Sequence, residues 1–316
     1  MKRNWIAAAL ALLVPALAAA QGFPSKTIRI VSGVTPGSAS DTMARILAEK
    51  LSPVFGQPVI VENRLGAGGL VGAKYVASAE PDGHTMMMYA SAFTVSTLLN
   101  PGLDPKDLAP VATMATIPTV LVTSPEKGYK KAADLVAAAK ANPGKVVCST
   151  AGIGSATHMQ LERFRFSAGI EVLKVHMKGA PDALTEVLAG RADCYFALVF
   201  QAKKMADAGK VVALAVGGPK RSSLMPDVPT TVELGYANSD YNFWLGVLIS
   251  SKTPRPIVER LHREINALVQ TADLSAQIRK LGADPLTMSL AAFQGMIDEE
   301  LEANAKLIKA AGIKAN

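Results

Sequence analysis

Small, hydroxyl-bearing residues cluster at two places in the chain, each between an apolar run and a helical pattern. In the first, Gly33, Pro36, Gly37 and Ser38 break the β-favouring run of Ile28, Ile30 and Val31. Ser40 and Asp41 then stand where an N-cap belongs, before a helix carrying Leu47, Leu51 and Phe55. In the second, Gly152, Gly154, Ser155 and Thr157 follow a strand expected over 146–148 and precede another helix. Such a loop aims unpaired backbone N–H groups, backed by the positive end of a helix dipole, at whatever lies beyond the strand. That chemistry suits a carboxylate or a phosphate. One such loop is an ordinary connection in any parallel α/β protein. Two of them, one in each half of the chain, predict a pair of loops facing across a cleft.

Catalytic chemistry is not signalled. The four histidines, His84, His158, His176 and His262, and the many serines form no Gly-x-Ser-x-Gly nucleophile elbow. There is no HExxH and no Cys-x-x-Cys, so neither a metal nor a cofactor is expected. His158 follows the second loop and is placed to cap the helix or to donate to a ligand. His262 reads as a surface group on an amphipathic helix. The run Gly66-Ala67-Gly68-Gly69-Leu70-Val71-Gly72 imitates a dinucleotide fingerprint, but its third glycine is one residue late and no acidic residue closes a second strand. It reads instead as a tight loop starting a helix over 70–79.

The elements that must position these residues repeat one unit. Strands over 28–31, 59–61 and 85–89 alternate with helices, and the third strand ends in another small-residue mouth, Ala90-Ser91-Ala92-Phe93. A strand over 119–123 is followed by a second βαβαβ unit with strands at 146–148, 171–175 and 193–199 and helices at 132–141 and 181–189. Strands over 211–216 and 243–250 and two amphipathic helices complete the chain. Crossings near Ser124 and near 221–226 divide it into lobe 1, residues 21–124 and 226–316, and lobe 2, residues 125–225. Two crossings make a hinge that lets the lobes close on a ligand and exclude water.

With 316 residues, 49% apolar and 19% charged, the chain has the material for two packed cores. Lys2 and Arg3, an apolar run from Trp5 to Val14, and the small residues Ala18 and Ala20 make residues 1–20 an export signal, cleaved before Gln21. The run is too short for a transmembrane anchor. Cleavage removes two positive charges and takes the formal charge from +7 to +5. The basic pairs are scattered and not interleaved with aromatics, so nucleic acid is not an expected partner. Cys148 and Cys194, the only cysteines, fall on strands that lie side by side in the doubly wound order. An oxidising compartment permits a disulfide between them, and two buried free thiols are the alternative.

Several runs together carry a resemblance: PGSASDTMAR at 36–45, GQPVIVENRLGAGG at 56–69, PDGHT at 81–85, ANPGKV at 141–146, GIGSATH at 152–158, KGAPDALTEVLAGRAD at 178–193, PDVPTTVELG at 226–235 and KAAGIK at 309–314. On these the chain resembles the periplasmic solute receptors of tripartite tricarboxylate transporters, the Bordetella uptake gene (Bug) receptors, over essentially its whole mature length. The resemblance implies an α/β, two-lobe type II periplasmic-binding-protein fold, each lobe a doubly wound sheet flanked by helices. It implies a monomeric, non-enzymatic periplasmic receptor that hands an organic carboxylate to membrane permease subunits. A receptor that instructs a membrane sensor is the alternative output.

Carried over by position, the family's ligand-holding residues fall on Ser38, Ala39, Ser40 and Asp41, on Gly154, Ser155, Thr157 and His158, and on Ser91. The departures are Ser38 for a loop glycine, Met177 for a tyrosine, Ala197 for an aspartate, Phe93 for a threonine and Phe200 for a proline. If these line the cleft, polar substituents on a ligand lose partners worth roughly 1 to 3 kcal/mol each. A ring could stack on Phe93 or Phe200. The expected ligand is a carboxylate with an aromatic or hydrocarbon body, with aliphatic dicarboxylates second. Phe93 and Phe200 packed into their own lobes is the competing expectation.

Overall fold

The computed structural model describes residues 22–100 and 102–314; the export segment and its cleavage position lie outside them. Alternation along the first strands puts Ile28 and Ile30 on one face of a sheet and Val31 on the other. β1 (Ile28–Ser32) pairs in parallel with β2 (Val59–Asn63) and β3 (Thr85–Ala90), joined through α1 (Ala39–Phe55) and α2 (Leu70–Ser78). α3 (Ala92–Leu99) leads to β4 (Leu108–Thr116), a strand that the sequence pattern does not anticipate. It pairs antiparallel with β10 (Trp244–Ser250), which inserts beside β3, and β11 (Asp284–Pro285) closes the edge. The sheet order is β11-β4-β10-β3-β1-β2. α8 (Arg255–Val269) and α9 (Ala272–Lys280) join α1 on one face, burying Leu47, Leu51, Leu261 and Ile265. α2 and α10 (Leu290–Ala311) cover the other through Leu70, Val76, Phe293 and Ile297. Three helices, not two, close the chain.

In the second lobe, β5 (Thr119–Thr123) lies between β8 (Tyr195–Leu198) and β9 (Val212–Val216), antiparallel to both. β6 (Val147–Thr150) and β7 (Leu173–His176) run parallel, and a bridge between Cys148 and Cys194 connects the two pieces. The same cysteines form a disulfide with their Cα atoms 4.6 Å apart. Helices α4 (Ala132–Ala141), α5 (Ala156–Ala168), α6 (Ala180–Leu188) and α7 (Val199–Asp207) flank the strands.

The lobe boundaries differ from the expected 124 and 226. β5 is the central strand of its sheet, so the first crossing falls at Ile117-Pro118. Residues 226–240 stay with the second lobe. The Val216 amide donates to Pro229 O at 2.8 Å, Gln160 Nε2 donates to Ser239 O at 2.6 Å, and the Phe164 and Tyr236 rings meet at 5.0 Å. The second crossing is at 241–243, where Ile117 N donates to Phe243 O at 2.8 Å and ties the two connections together.

A buried polar network spans the lobes. Glu300 on α10 accepts from Trp244 Nε1 at 3.0 Å, Asn304 Nδ2 donates to Thr94 Oγ1 at 2.9 Å, and Arg163 from the second lobe donates to Asn304 Oδ1 at 3.1 Å. Burial pushes the Glu300 carboxyl up to about 7, against the opposing pull of Trp244, Arg163 and Thr94. A raised carboxyl binds more protons folded than unfolded, so its contribution to stability falls as pH rises from about 4.5 through 7. Relative to wild type, Glu300→Gln is therefore expected to gain about 2 kcal/mol between pH 5 and pH 7. Urea midpoints of both proteins at the two pH values check this, and a constant difference would contradict it.

Candidate functional site

The two loops expected from the sequence share one local geometry. Each follows the C-terminal end of a parallel strand, β1 or β6, and each begins with a glycine at positive φ, Gly37 at 80° and Gly154 at 72°. A side chain at either position would be strained. The next residue is the N-cap: Ser38 (φ −67°, ψ 165°) and Ser155 (φ −65°, ψ 158°). Their hydroxyl oxygens accept from the amides of Asp41 and His158, each at 3.3 Å. The N-cap of the first helix is thus Ser38, and Ser40 and Asp41 lie in the first turn.

Behind each loop, the side chain at the third helical position accepts from the glycine amide. Asp41 Oδ2 takes Gly37 N at 2.9 Å, and His158 Nδ1 takes Gly154 N at 3.1 Å. Asp41 is buried and also holds Arg45 and Asn63, at 3.0 and 2.7 Å. Burial alone would raise its carboxyl, but Arg45, Gly37 and Asn63 outweigh that and hold it below its ordinary value. Asp41, Gly154 and His158 therefore spend these atoms shaping the loops. The aligned pentapeptides Gly-Ser-Ala-Ser-Asp and Gly-Ser-Ala-Thr-His at 37–41 and 154–158 carry the signal for this in the sequence.

The amides that the loops leave free occupy the same positions in both. Ser38 N and Ser155 N donate within their own turns at 3.2 Å. The amides of Ala39 and Ser40, and of Ala156 and Thr157, are the first two of each helix and have no intrahelical acceptor. The Ser38 hydroxyl, having accepted a hydrogen bond, keeps its own proton to donate, whereas the Ser155 hydroxyl shares a hydrogen bond with Thr157 in which either oxygen can be the donor. The Thr157 hydroxyl instead accepts from Ala151 N at 2.9 Å and touches Ser155 Oγ at 3.2 Å, so it braces the loop.

The remaining expected residues divide. Ser91 is fully buried, and its Oγ accepts from Tyr241 OH at 3.1 Å, a partner from the second crossing that sequence reasoning missed. Phe93 is 1% exposed and packs on Tyr89 inside its own lobe with ring centroids 5.4 Å apart. Ala197 is fully buried in the second lobe's core. Neither lines an opening, because β8 and α3 turn these side chains into their cores. Met177 is half-buried against the second lobe's core. Phe200 is 37% exposed on α7 and lies across the lobe boundary against Gly282, where an added Cβ would come within 2.4 Å of the Phe200 Cβ. Leu198, at the end of β8, was not anticipated; with Ala39 and Phe243 it packs half-buried against the first lobe's core.

His262 is half-buried, with Nδ1 2.7 Å from Val111 O, and so is not a free surface group. Among the described residues, no group of three or more His, Cys, Asp or Glu side chains is placed to hold a metal ion. A cavity of about 540 Å³ lies at the crossings, between Ile117, Arg221, Asn242 and Asp284, and touches neither loop. No helix among the described residues is long and apolar enough to cross a membrane.

The chain is similar to known proteins over most of its length. A model of the tripartite tricarboxylate transporter family receptor matches residues 43–313. A protein encoded in the tcbD-tcbE intergenic region of Pseudomonas sp. strain P51 is 33% identical over 93% of this chain and 89% of its own length. Protein BugT of Bordetella pertussis is 31% identical over 95% and 94%. Among solved structures, R. palustris Rpa4515 with adipate superposes with a TM-score of 0.79 at 28% identity, covering 92% of this chain and 99% of that one. The periplasmic binding protein BugD gives 0.76 at 28% identity over 93% and 100%. MatC from Rhodopseudomonas palustris, with bound malate, gives 0.75 at 25% identity over 90% and 100%.

Proposed function

Since the chain belongs to the tripartite tricarboxylate transporter receptor family, we propose that it is a periplasmic receptor that clasps one carboxylate of a small organic acid between its two serine-capped loops. It then presents that acid to the membrane subunits of a transporter. As a receptor it is not an enzyme. One observation carries the choice of ligand group: four free first-turn amides, two per loop, each pair beside a cap hydroxyl. A carboxylate has two oxygens with about four lone-pair sites, which four N–H groups would fill. Arg45, the cation nearest the first loop in sequence, is taken up by Asp41 and Asn63. The donors are therefore neutral, which suits a singly charged group better than a phosphate dianion.

Ala39, the first residue of the helix behind the first loop, is apolar, as are Leu198 and Phe243, which with it pack half-buried against the first lobe's core. A hydrocarbon body gains from burial there, while an ammonium or hydroxyl group would lose its water partners for roughly 1 to 3 kcal/mol. With Phe93 in the core, one of the two rings expected to stack on an aromatic ligand is withdrawn, and the ligand class is a hydrocarbon-bodied carboxylate, aromatic or aliphatic. The adipate bound to the R. palustris neighbour is such an acid.

A thermal-shift screen of benzoate, terephthalate, adipate, succinate, malate, citrate, aspartate and glutamate tests the reading. Hydrocarbon-bodied acids should raise the melting temperature most. A preference for citrate or aspartate would overturn the ligand body, and no response to any carboxylate would overturn the site. Calorimetry on Ser38→Ala and Ser155→Ala should then show each substitution weakening binding by about 1.5 to 3 kcal/mol, roughly 10- to 150-fold, without abolishing it. Wild-type affinity in both variants would remove the loops from the site.

A further inference from the structure

We propose that His158 is a positioning residue whose neutral imidazole, protonated on Nε2, clamps the Gly154 amide and with it the second loop, so that acidification releases this loop and leaves the first intact. The consequence for ligand affinity rests on the function proposed above; the clamp itself does not.

The argument begins with the internal repeat. At the same helical position, Asp41 accepts from Gly37 in the first loop as His158 accepts from Gly154 in the second. A carboxylate held below its ordinary range stays an acceptor across neutral and mildly acidic pH. An imidazole does not, because imidazoles commonly titrate between pH 5 and 8 and an imidazolium has two N–H donors and no acceptor. Protonation would set an Nδ1–H against the Gly154 N–H, with the two nitrogens 3.1 Å apart. The attraction that closes the turn would become a repulsion between donors.

The surroundings of His158 fix which nitrogen carries the proton. Nε2 is buried, lacks a hydrogen-bond partner, and faces Glu162 Oε1 at 3.7 Å. Glu162 is fully buried and ionised: burial opposes its charge, but His158, Lys174 and Arg165 hold it at about 2. Its negative charge favours hydrogen on the facing Nε2, which leaves Nδ1 as the acceptor. Lys174 Nζ shares Oε1 at 2.7 Å, and Arg165 takes Oε2 at 2.9 Å. The His176 ring packs edge-on at 4.6 Å, with its Nδ1 2.7 Å from Thr150 Oγ1. Burial first, then His158 and Lys174, lowers the pKa of His176, which favours its neutral ring. Lys314 completes the set from the other lobe. With Ile153, His158, Lys174 and His176 it lines a cavity of about 270 Å³ that gives solvent a path to the pair.

The test needs no ligand. In the mature, isotope-labelled protein, ring ¹⁵N shifts should report the Nε2–H tautomer of His158 at pH 7.5 and a doubly protonated ring at pH 5.5. Hydrogen exchange at Gly154, corrected for intrinsic rates, should lose at least tenfold protection over the same change, while Gly37 keeps its own. His158→Asn supplies an acceptor that does not titrate, and Asp41 shows that a side chain of this length reaches the glycine amide; in this variant Gly154 protection should not vary with pH. His158→Phe should lose the protection at both pH values. An Nδ1–H tautomer at pH 7.5, or wild-type Gly154 protection that does not change with pH, would overturn the clamp even if a variant failed to fold. Failure of the carboxylate screen would overturn the site and leave this result standing.

Discussion

Glu162→Gln is expected to destabilise the protein by about 3 to 5 kcal/mol at pH 7. The side chain is fully buried and compensates two cations: Arg165 at 2.9 Å and Lys174 at 2.7 Å. Glutamine keeps the volume and removes the charge, leaving both cations poorly paired, and breaking a buried pair from one side carries a cost of this size. Glu171 retains one Arg165 nitrogen at 2.7 Å but is itself mostly exposed, so it recovers little. The pH dependence fixes the mechanism. A carboxyl lowered from 4.5 to about 2 contributes stability that is complete above the unfolded value and is lost as pH falls through the folded one. The interval is worth about 3 kcal/mol. The gap between wild type and variant in urea unfolding should therefore shrink from pH 4.5 toward 2. A gap below about 1 kcal/mol at pH 7, or one independent of pH, would show that the charge contributes little.

Removing both cysteines as Cys148→Ala with Cys194→Ala should lower stability by about 4 kcal/mol. The bridge closes a stretch with a sequence separation of 46, and the loss of unfolded-chain entropy for a loop of that length gives this figure. Both sulfurs lie in the second lobe's core, and the bond links β6 to the residue before β8 at the seam between two pieces of sheet. The loss should therefore be local at first, with the second lobe unfolding at lower denaturant than the first. Thiol titration of denatured, unreduced protein should find no free thiols. Two free thiols, or the same unfolding midpoint before and after reduction, would refute the expectation.

The strands and helices that build the two loops are readable from apolar runs and breakers, as at 119–123 and 132–141, because there pattern and propensity agree. β4 is not readable: Pro110 and the small residues Ala109, Ala112 and Ala115 are weak strand formers, and the segment is a strand because β10 and β11 pair with it on either side. α7 was hidden by the opposite conflict, since Val199 extends an apparent strand that ends at Leu198. The two hydroxyl-rich loops follow from the residues alone, but the first N-cap does not: the pattern places it at Ser40 and Asp41, whereas Ser38 is the cap and the helix begins at Ala39. Nor do the lining residues, because side-chain direction is set by the helix or strand that carries them: Phe93 and Ala197 align with cleft positions yet turn into their cores. Their placement came from resemblance, and the physics of packing overrode it.

α10 belongs to the first lobe's core at Phe293 and Ile297, yet ends on the second lobe. Leu307, Ile308 and Ile313 rest on a patch made of Val95, Ala156, Met159 and Tyr241, below the arginine that reaches Asn304. Two crossing strands, taken alone, leave a pair of rigid bodies free to swing about the line that joins them. A third attachment away from that line removes this freedom unless it slips or lets go. Ala156 lies in the patch and is also the first residue of the helix behind the second loop. Any change in the gape of the jaws would thus have to move the seating of that loop as well, through the last two turns of a single helix.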